Sequence, residues 1–137
     1  GTISTFSSGD YALLNGNNNF DGDQTFNDGR IDRFSASTNT QTNSTYEIVQ
    51  TDNGKVITFD FDTSSVSLSI NSDIANGFNC LLVQLGSGQV RFTGENAVVN
   101  RYQHTKLVGQ YSIATLVKIS DTVIILSGDT TKDNSGP

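Results

Sequence analysis

At 137 residues, with 34% hydrophobic residues, 16% charged residues and a net charge of −6, the chain has the length of one domain and a thin apolar complement. That balance excludes a nucleic-acid reader and an anionic-membrane binder, because both need clustered Lys and Arg, and here the basic residues stand singly apart from Arg30 and Arg33. No apolar run reaches the roughly 20 residues that span a bilayer, and no signal-peptide pattern opens the chain, so no membrane insertion is expected.

Ser, Thr and Asn are abundant. Their short polar side chains bond nearby backbone in turns and suit exposed strand faces. The composition reads as an all-β protein with a neutral polar surface, for which partner subunits supply further burial. The single cysteine, Cys80, excludes an intrachain disulfide. Its setting in Phe78-Asn79-Cys80-Leu81-Leu82-Val83 marks it as a buried small hydrophobe. Methionine is absent, from which we expect a piece of a longer protein.

Residues 1–43 read as an extended stem-like segment and linker. Large apolar residues are sparse there, and the turn signals Asn15-Gly16-Asn17-Asn18-Asn19, Asp21-Gly22-Asp23 and Asn27-Asp28-Gly29 separate them. Such widely spaced anchors do not enclose a core of their own. The segment is either disordered or packed against other copies or the following domain; its aromatic anchors, rare in disordered tracts, favour packing through residues such as Leu14, Phe20 and Phe26. Residues 35–43 read as a polar linker.

Residues 44–130 read as a globular β-domain, because a period of two takes over. Ile57, Phe59 and Phe61 share one face, and Val66, Leu68 and Ile70 alternate with serines. Ser72-Asp73-Ile74-Ala75-Asn76 is the one candidate for a helical turn. Cys80 to Leu85 is nearly continuously apolar, which predicts burial on both faces. Gly86-Ser87-Gly88 then leads into Gln89-Val90-Arg91-Phe92 as a predicted hairpin. Tyr111, Ile113, Thr115, Val117 and Ile119 make another alternating face, and Ser120-Asp121 turns back into Val123-Ile124-Ile125-Leu126. The expectation is an antiparallel β-sandwich or partly closed barrel of about seven or eight strands, with residues 131–137 as a tail.

Four segments of this domain occur in an order that resembles a β-domain recurrent in bacteriophage tail-fibre and appendage proteins. They are Gly54-Lys55-Val56-Ile57, Phe78 to Val90, Tyr111 to Lys118, and Leu126-Ser127-Gly128-Asp129. The family versions read GKVI, VIQ-GxGQV, GQY-x-ATLIK and SGD, and the match covers more than half of the chain. Separately, Leu14-Asn15-Gly16-Asn17-Asn18-Asn19-Phe20-Asp21-Gly22-Asp23-Gln24-Thr25-Phe26 is similar to the LNG-N-F-x-G-xQTF repeats of phage fibre stems. The resemblance implies a virion protein assembled in the host cytoplasm, a homotrimer in contact with other virion proteins. In a trimer Leu14, Phe20 and Phe26 would meet around a shared axis. The acidic group Asp21, Asp23, Asp28 and Asp32 is not part of that repeat.

No catalytic constellation stands out, and neither an enzyme nor a cofactor is expected. The calcium-loop pattern fails: with Gly29 at position 6, Gln24, Phe26 and Ser35 fall where carboxylates belong. A looser oxygen site from Asp21, Asp23 and Asp28 competes with plain turn formation. Asp60 and Asp62 share one strand face without the partner that glycoside hydrolysis needs, and no β-helical repeat of the phage depolymerase kind is visible. His104 is read as a loop histidine, with a metal on a trimer axis as the alternative and no metal expected. Gly86-Ser87-Gly88 precedes no helix and is a turn, not a phosphate cradle. For a host-surface glycan, the candidate contact is Tyr102 with its neighbours Arg101 and Gln103, the most loop-like aromatic group of the domain. The competing readings are a monomeric carbohydrate-binding module and a head-decoration or baseplate docking protein.

Overall fold

A computed structural model describes residues 16–23, 25, 27, 28, 35–94 and 96–132. The chain divides into two units, residues 1–34 and 35–137. In the first unit Asn18 Nδ2 donates to Gly16 O at 3.2 Å and Phe20 is exposed.

The second unit is all-β. Its strands are β1 (Thr38–Gln41), β2 (Thr45–Ile48), β3 (Val56–Phe59), β4 (Val66–Ile70), β5 (Asn79–Gln84), β6 (Val90–Phe92), β7 (His104–Leu107), β8 (Ile113–Ser120), β9 (Val123–Gly128) and β10 (Thr130–Lys132). They form two five-stranded sheets, sheet I in the order β1-β3-β5-β8-β9 and sheet II in the order β10-β7-β6-β4-β2. The core lies between them: Ile57, Phe59, Leu82 and Leu116 from sheet I meet Ile48, Leu68, Val90 and Leu107 from sheet II.

The sandwich is mixed rather than antiparallel. β1, β3 and β5 pair in parallel in sheet I, and β2, β4 and β6 do so in sheet II. β1, β3 and β5 each pass through an arch into the next strand, β2, β4 or β6, of the opposite sheet, so residues 38–92 wind three stacked coils. The coils differ in length, since Thr38 pairs with Val56 and Val56 with Leu81. That irregularity hides the winding from a search for repeats. The expected hairpin across Gly86-Ser87-Gly88 is the third of these arches: β5 belongs to sheet I and β6 to sheet II. The second expected hairpin is present as β8–β9, with Leu116 opposite Leu126.

Other expectations shift in detail. Residues 38–41 of the expected linker form edge strand β1, and residues 130–132 form β10 on the edge of sheet II. Residues 72–76 make turns without a helix, and a single 3-10 turn occurs instead at Gln50–Asp52. The run Cys80 to Leu85 is buried on one face only, with Leu81 exposed on the other.

The residues that carry the phage resemblance have local structural roles. Gly54 adopts φ +75° between the 3-10 turn and β3, and its N–H donates to Asn79 O at 2.7 Å. Gln110 Nε2 donates to Leu85 O at 2.9 Å, and Tyr111 N–H to Gln84 O at 2.6 Å. Lys118 is buried and its Nζ donates to Ile74 O at 2.7 Å, which fastens the loop before β5. Gly128 adopts φ +135° where a Cβ would sit 2.6 Å from Ile113 O, so the approach of β9 to β8 requires glycine. Asp129 Oδ2 then accepts from Ile113 N–H at 3.2 Å.

Candidate functional site

At the β1–β2 end of the core lies a closed polar cluster. The Asp52 carboxylate is buried; Oδ2 accepts from the Tyr46 hydroxyl at 2.7 Å and from Val49 N–H at 3.0 Å. Asn39 Nδ2 donates to Asp52 Oδ1 at 2.8 Å, and Gln41 Nε2 donates to Asn39 Oδ1 at 2.7 Å. A buried carboxylate satisfied in this way plugs the core and is not available as a base. Burial, reinforced by the hydrogen bond with Asp52, pushes the Tyr46 phenol up to about 12. Burial, and then the charge of Asp52, pushes the Cys80 thiol up to about 12. Both groups hold their protons at neutral pH, so Cys80 lacks the thiolate that nucleophilic chemistry requires.

The turn before β7 holds Arg101, Tyr102 and Gln103. Asn100 organises it: Oδ1 accepts from Tyr102 N–H at 2.8 Å and from His104 N–H at 3.3 Å, while Nδ2 donates to Leu126 O at 2.8 Å. Gln103 is held at φ +62°. The Tyr102 ring is 60% exposed, with the Arg101 guanidinium 5.5 Å from its centroid and the His104 ring 5.5 Å away. His104 belongs to β7 rather than a loop, with Nδ1 3.0 Å from Thr130 Oγ1. Gln103 lines a cavity of about 360 Å³ together with Phe92, Asn96 and Thr105. Arg101 and Tyr102 stand on the adjoining exposed turn.

Sequence reasoning did not single out the outer face of sheet II. The pairing register sets Thr45, Ser67, Arg91, Lys106 and Thr131 in one row across all five strands. A depression of about 440 Å³ runs over the β2 side of this face, lined by Thr45, Glu47, Ser67, Ser69 and Thr93. A second, of about 380 Å³, continues from Thr93 to Arg91, Gly94 and Thr105. It shares Phe92, Gly94 and Thr105 with the cavity beside Gln103. Arg91 Nε and Thr105 Oγ1 are buried and have no hydrogen-bond partner among the described residues. The alternation of serines and hydrophobes in β4 was legible in the sequence, but the row exists only through the pairing of β2, β4 and β6 in parallel and of β6, β7 and β10 antiparallel.

The outer face of sheet I differs in charge and in its exposed hydrophobic residues. Its register rows Thr38-Val56-Leu81-Thr115-Ser127 and Thr40-Thr58-Val83-Ile113 contain no charged residue. Leu81, Ile113, Ile119 and Ile125 are exposed on this sheet, and Val99, bridged in parallel to Ile125, extends it.

Of the expected packing anchors, Phe20 is 60% exposed, and Leu14 and Phe26 lie outside the described residues. Among the described residues no group of three His, Cys, Asp or Glu side chains converges on a metal-sized site, and that includes Asp21, Asp23 and Asp28. Asp62 is exposed and also holds two arches together. Its Oδ1 accepts from Ser87 N–H at 2.9 Å, tying the second arch to the third. No helix among the described residues is long and apolar enough to cross a membrane. No family model matches the chain, and no curated protein matches it by sequence.

Proposed function

We propose that this chain is a non-enzymatic module of a bacteriophage tail fibre or appendage. In this reading copies of it associate through the outer face of sheet I, and the outer face of sheet II is turned toward the host surface. The observation that carries the proposal is the contrast between the two faces of one sandwich. One is uncharged, with Leu81, Ile113 and Ile125 exposed among threonines; the other is grooved and lined by hydroxyls, with Arg91 and Glu47. Exposed hydrophobic residues grouped on one uncharged face mark a protein–protein contact, and closed symmetry buries the same face in every copy. The order of the fibre-like segments in the sequence supports the virion setting and a homotrimer. The closed Asp52 cluster and the protonated Cys80 thiol support a role without catalysis.

Sedimentation equilibrium together with adhesion of the labelled chain to a panel of bacterial cells tests this reading. The expected result is a trimer that adheres to some strains and not others. A monomer that adheres would favour a carbohydrate-binding module, for which the groove of sheet II is the supporting feature. A chain that neither associates nor adheres would overturn both.

A further inference from the structure

We propose that the groove across the outer face of sheet II binds a saccharide bearing a carboxylate, with the carboxylate held by Arg91. The proposal takes its biological setting from the attachment reading, but its chemistry stands on the groove alone. Arg91 lies on the middle strand of sheet II, directly opposite Lys106 of β7. The guanidinium is uncommitted: the Arg91 side chain makes no hydrogen bond or ion pair with any described residue, and its Nε is buried without a partner. Thr105 Oγ1, in the same wall, is likewise unpartnered. Buried donors without acceptors are rare and costly, so a small rotation of Arg91 onto a ligand oxygen is favourable. A planar guanidinium fork matches a carboxylate.

The rest of the groove selects a saccharide over a simple anion. Thr45, Ser67, Ser69 and Thr93 offer hydroxyls along the two adjoining depressions, each large enough for a sugar unit. Glu47 at the β2 side repels a second negative charge, which favours neutral units beside one acidic unit over a polyanion.

Nitrogen-15 spectra of the Arg91 Nε–H group, recorded while the chain is titrated with sodium glucuronate, glucose or inorganic phosphate, test the site. Glucuronate is expected to shift the resonance saturably, with glucose about tenfold weaker or worse, the loss of one charged hydrogen bond. Thr105→Val should weaken glucuronate binding and Arg91→Gln should abolish it, the latter read from the backbone amides around the groove. Should Arg91→Gln not fold, Arg91→Lys takes its place and is expected to lose most of the affinity. No saturable shift, equal response to glucose, tighter binding of phosphate, or unchanged affinity in the variants would each overturn the proposal. Cell adhesion that glucuronate does not compete would also overturn it, while leaving attachment intact. Saturable glucuronate binding without adhesion to any cell would instead sink the attachment reading and leave the site standing.

Discussion

The Gln84 side chain accepts from Val90 N–H at 3.0 Å, joining the last residue of β5 in one sheet to the first residue of β6 in the other. Its Nε2 donates to Gly86 O at 3.1 Å inside the same arch. Gln84 is wholly buried, and with both ends bonded it fixes the path by which the third coil crosses the core.

Gln84→Leu keeps the volume and removes both bonds, leaving a buried N–H and a buried carbonyl unpaired. The expected loss is about 2–4 kcal/mol, since each orphaned group costs on the order of 1–3 kcal/mol. Urea unfolding measures it. An unchanged midpoint would mean that the arch holds without its staple.

Stacking of the second and third arches depends on glycine. A Cβ on Gly88 would lie 2.5 Å from Phe61 O and closer still to Ser64 O, both backbone atoms that cannot yield easily. Gly88→Ala is expected to cost about 2–3 kcal/mol by overpacking. Gly109, with nothing within 4 Å of an added Cβ, is the control. Gly109→Ala should be neutral or stabilising by about 0.5 kcal/mol. Equal midpoints for the two variants would refute the close approach of the arches.

Alkaline pH should unfold the domain before it exposes any reactive thiol. The folded-state pKa values of Cys80 and Tyr46 are raised, from 9.0 and 10.0 respectively to about 12 in each case. Below the ordinary values both states are protonated and stability is complete. Above them the unfolded chain releases protons that the folded chain keeps, so stability falls as pH rises from about 9 to about 12. In Cys80→Ala the decline should begin near pH 10, at the ordinary value of Tyr46. Thermal melts across this range give the onset. An identical onset in wild type and variant would remove Cys80 from the account. Iodoacetamide at pH 8 should label Cys80 only on unfolding, because the thiol is buried.

The outer face of sheet I can be tested by charge. Ile113 is 48% exposed and stands opposite Val83. Ile113→Lys should change the stability of an isolated protomer by no more than about 0.5 kcal/mol. It should also convert the expected trimer to monomer in sedimentation equilibrium. If the variant keeps the wild-type mass, the contact between copies lies elsewhere.

Much of the strand content was legible because alternation reports which face of a strand is buried. Val66, Leu68 and Ile57 point inward as their spacing requires. Partnership was not legible, since a period of two is the same whether a strand pairs in parallel or antiparallel. Gly86-Ser87-Gly88 has the composition of a hairpin turn, yet its glycines serve contact with Phe61 and Ser64 of the preceding arch. The Arg91–Lys106 pair and the Asn39–Tyr46–Asp52 cluster were invisible for a related reason: each joins residues from separate strands or turns that only the folded chain brings together.

By itself, then, the sequence determined an all-β chain with a thin core and the inward faces of β3 and β4; the alternating face it marked from Tyr111 to Ile119 is the outward one of β8, with Ile113 and Ile119 exposed and Ala114, Leu116 and Lys118 turned into the core. These follow from local sterics and burial periodicity, which act over a few residues. The tertiary structure alone decided that residues 38–92 wind as parallel coils, that the rows of one outer face carry no charge, and that Arg91 came to stand beside Lys106 on the other. Those outcomes depend on strand register, which long-range packing of the shared core selects.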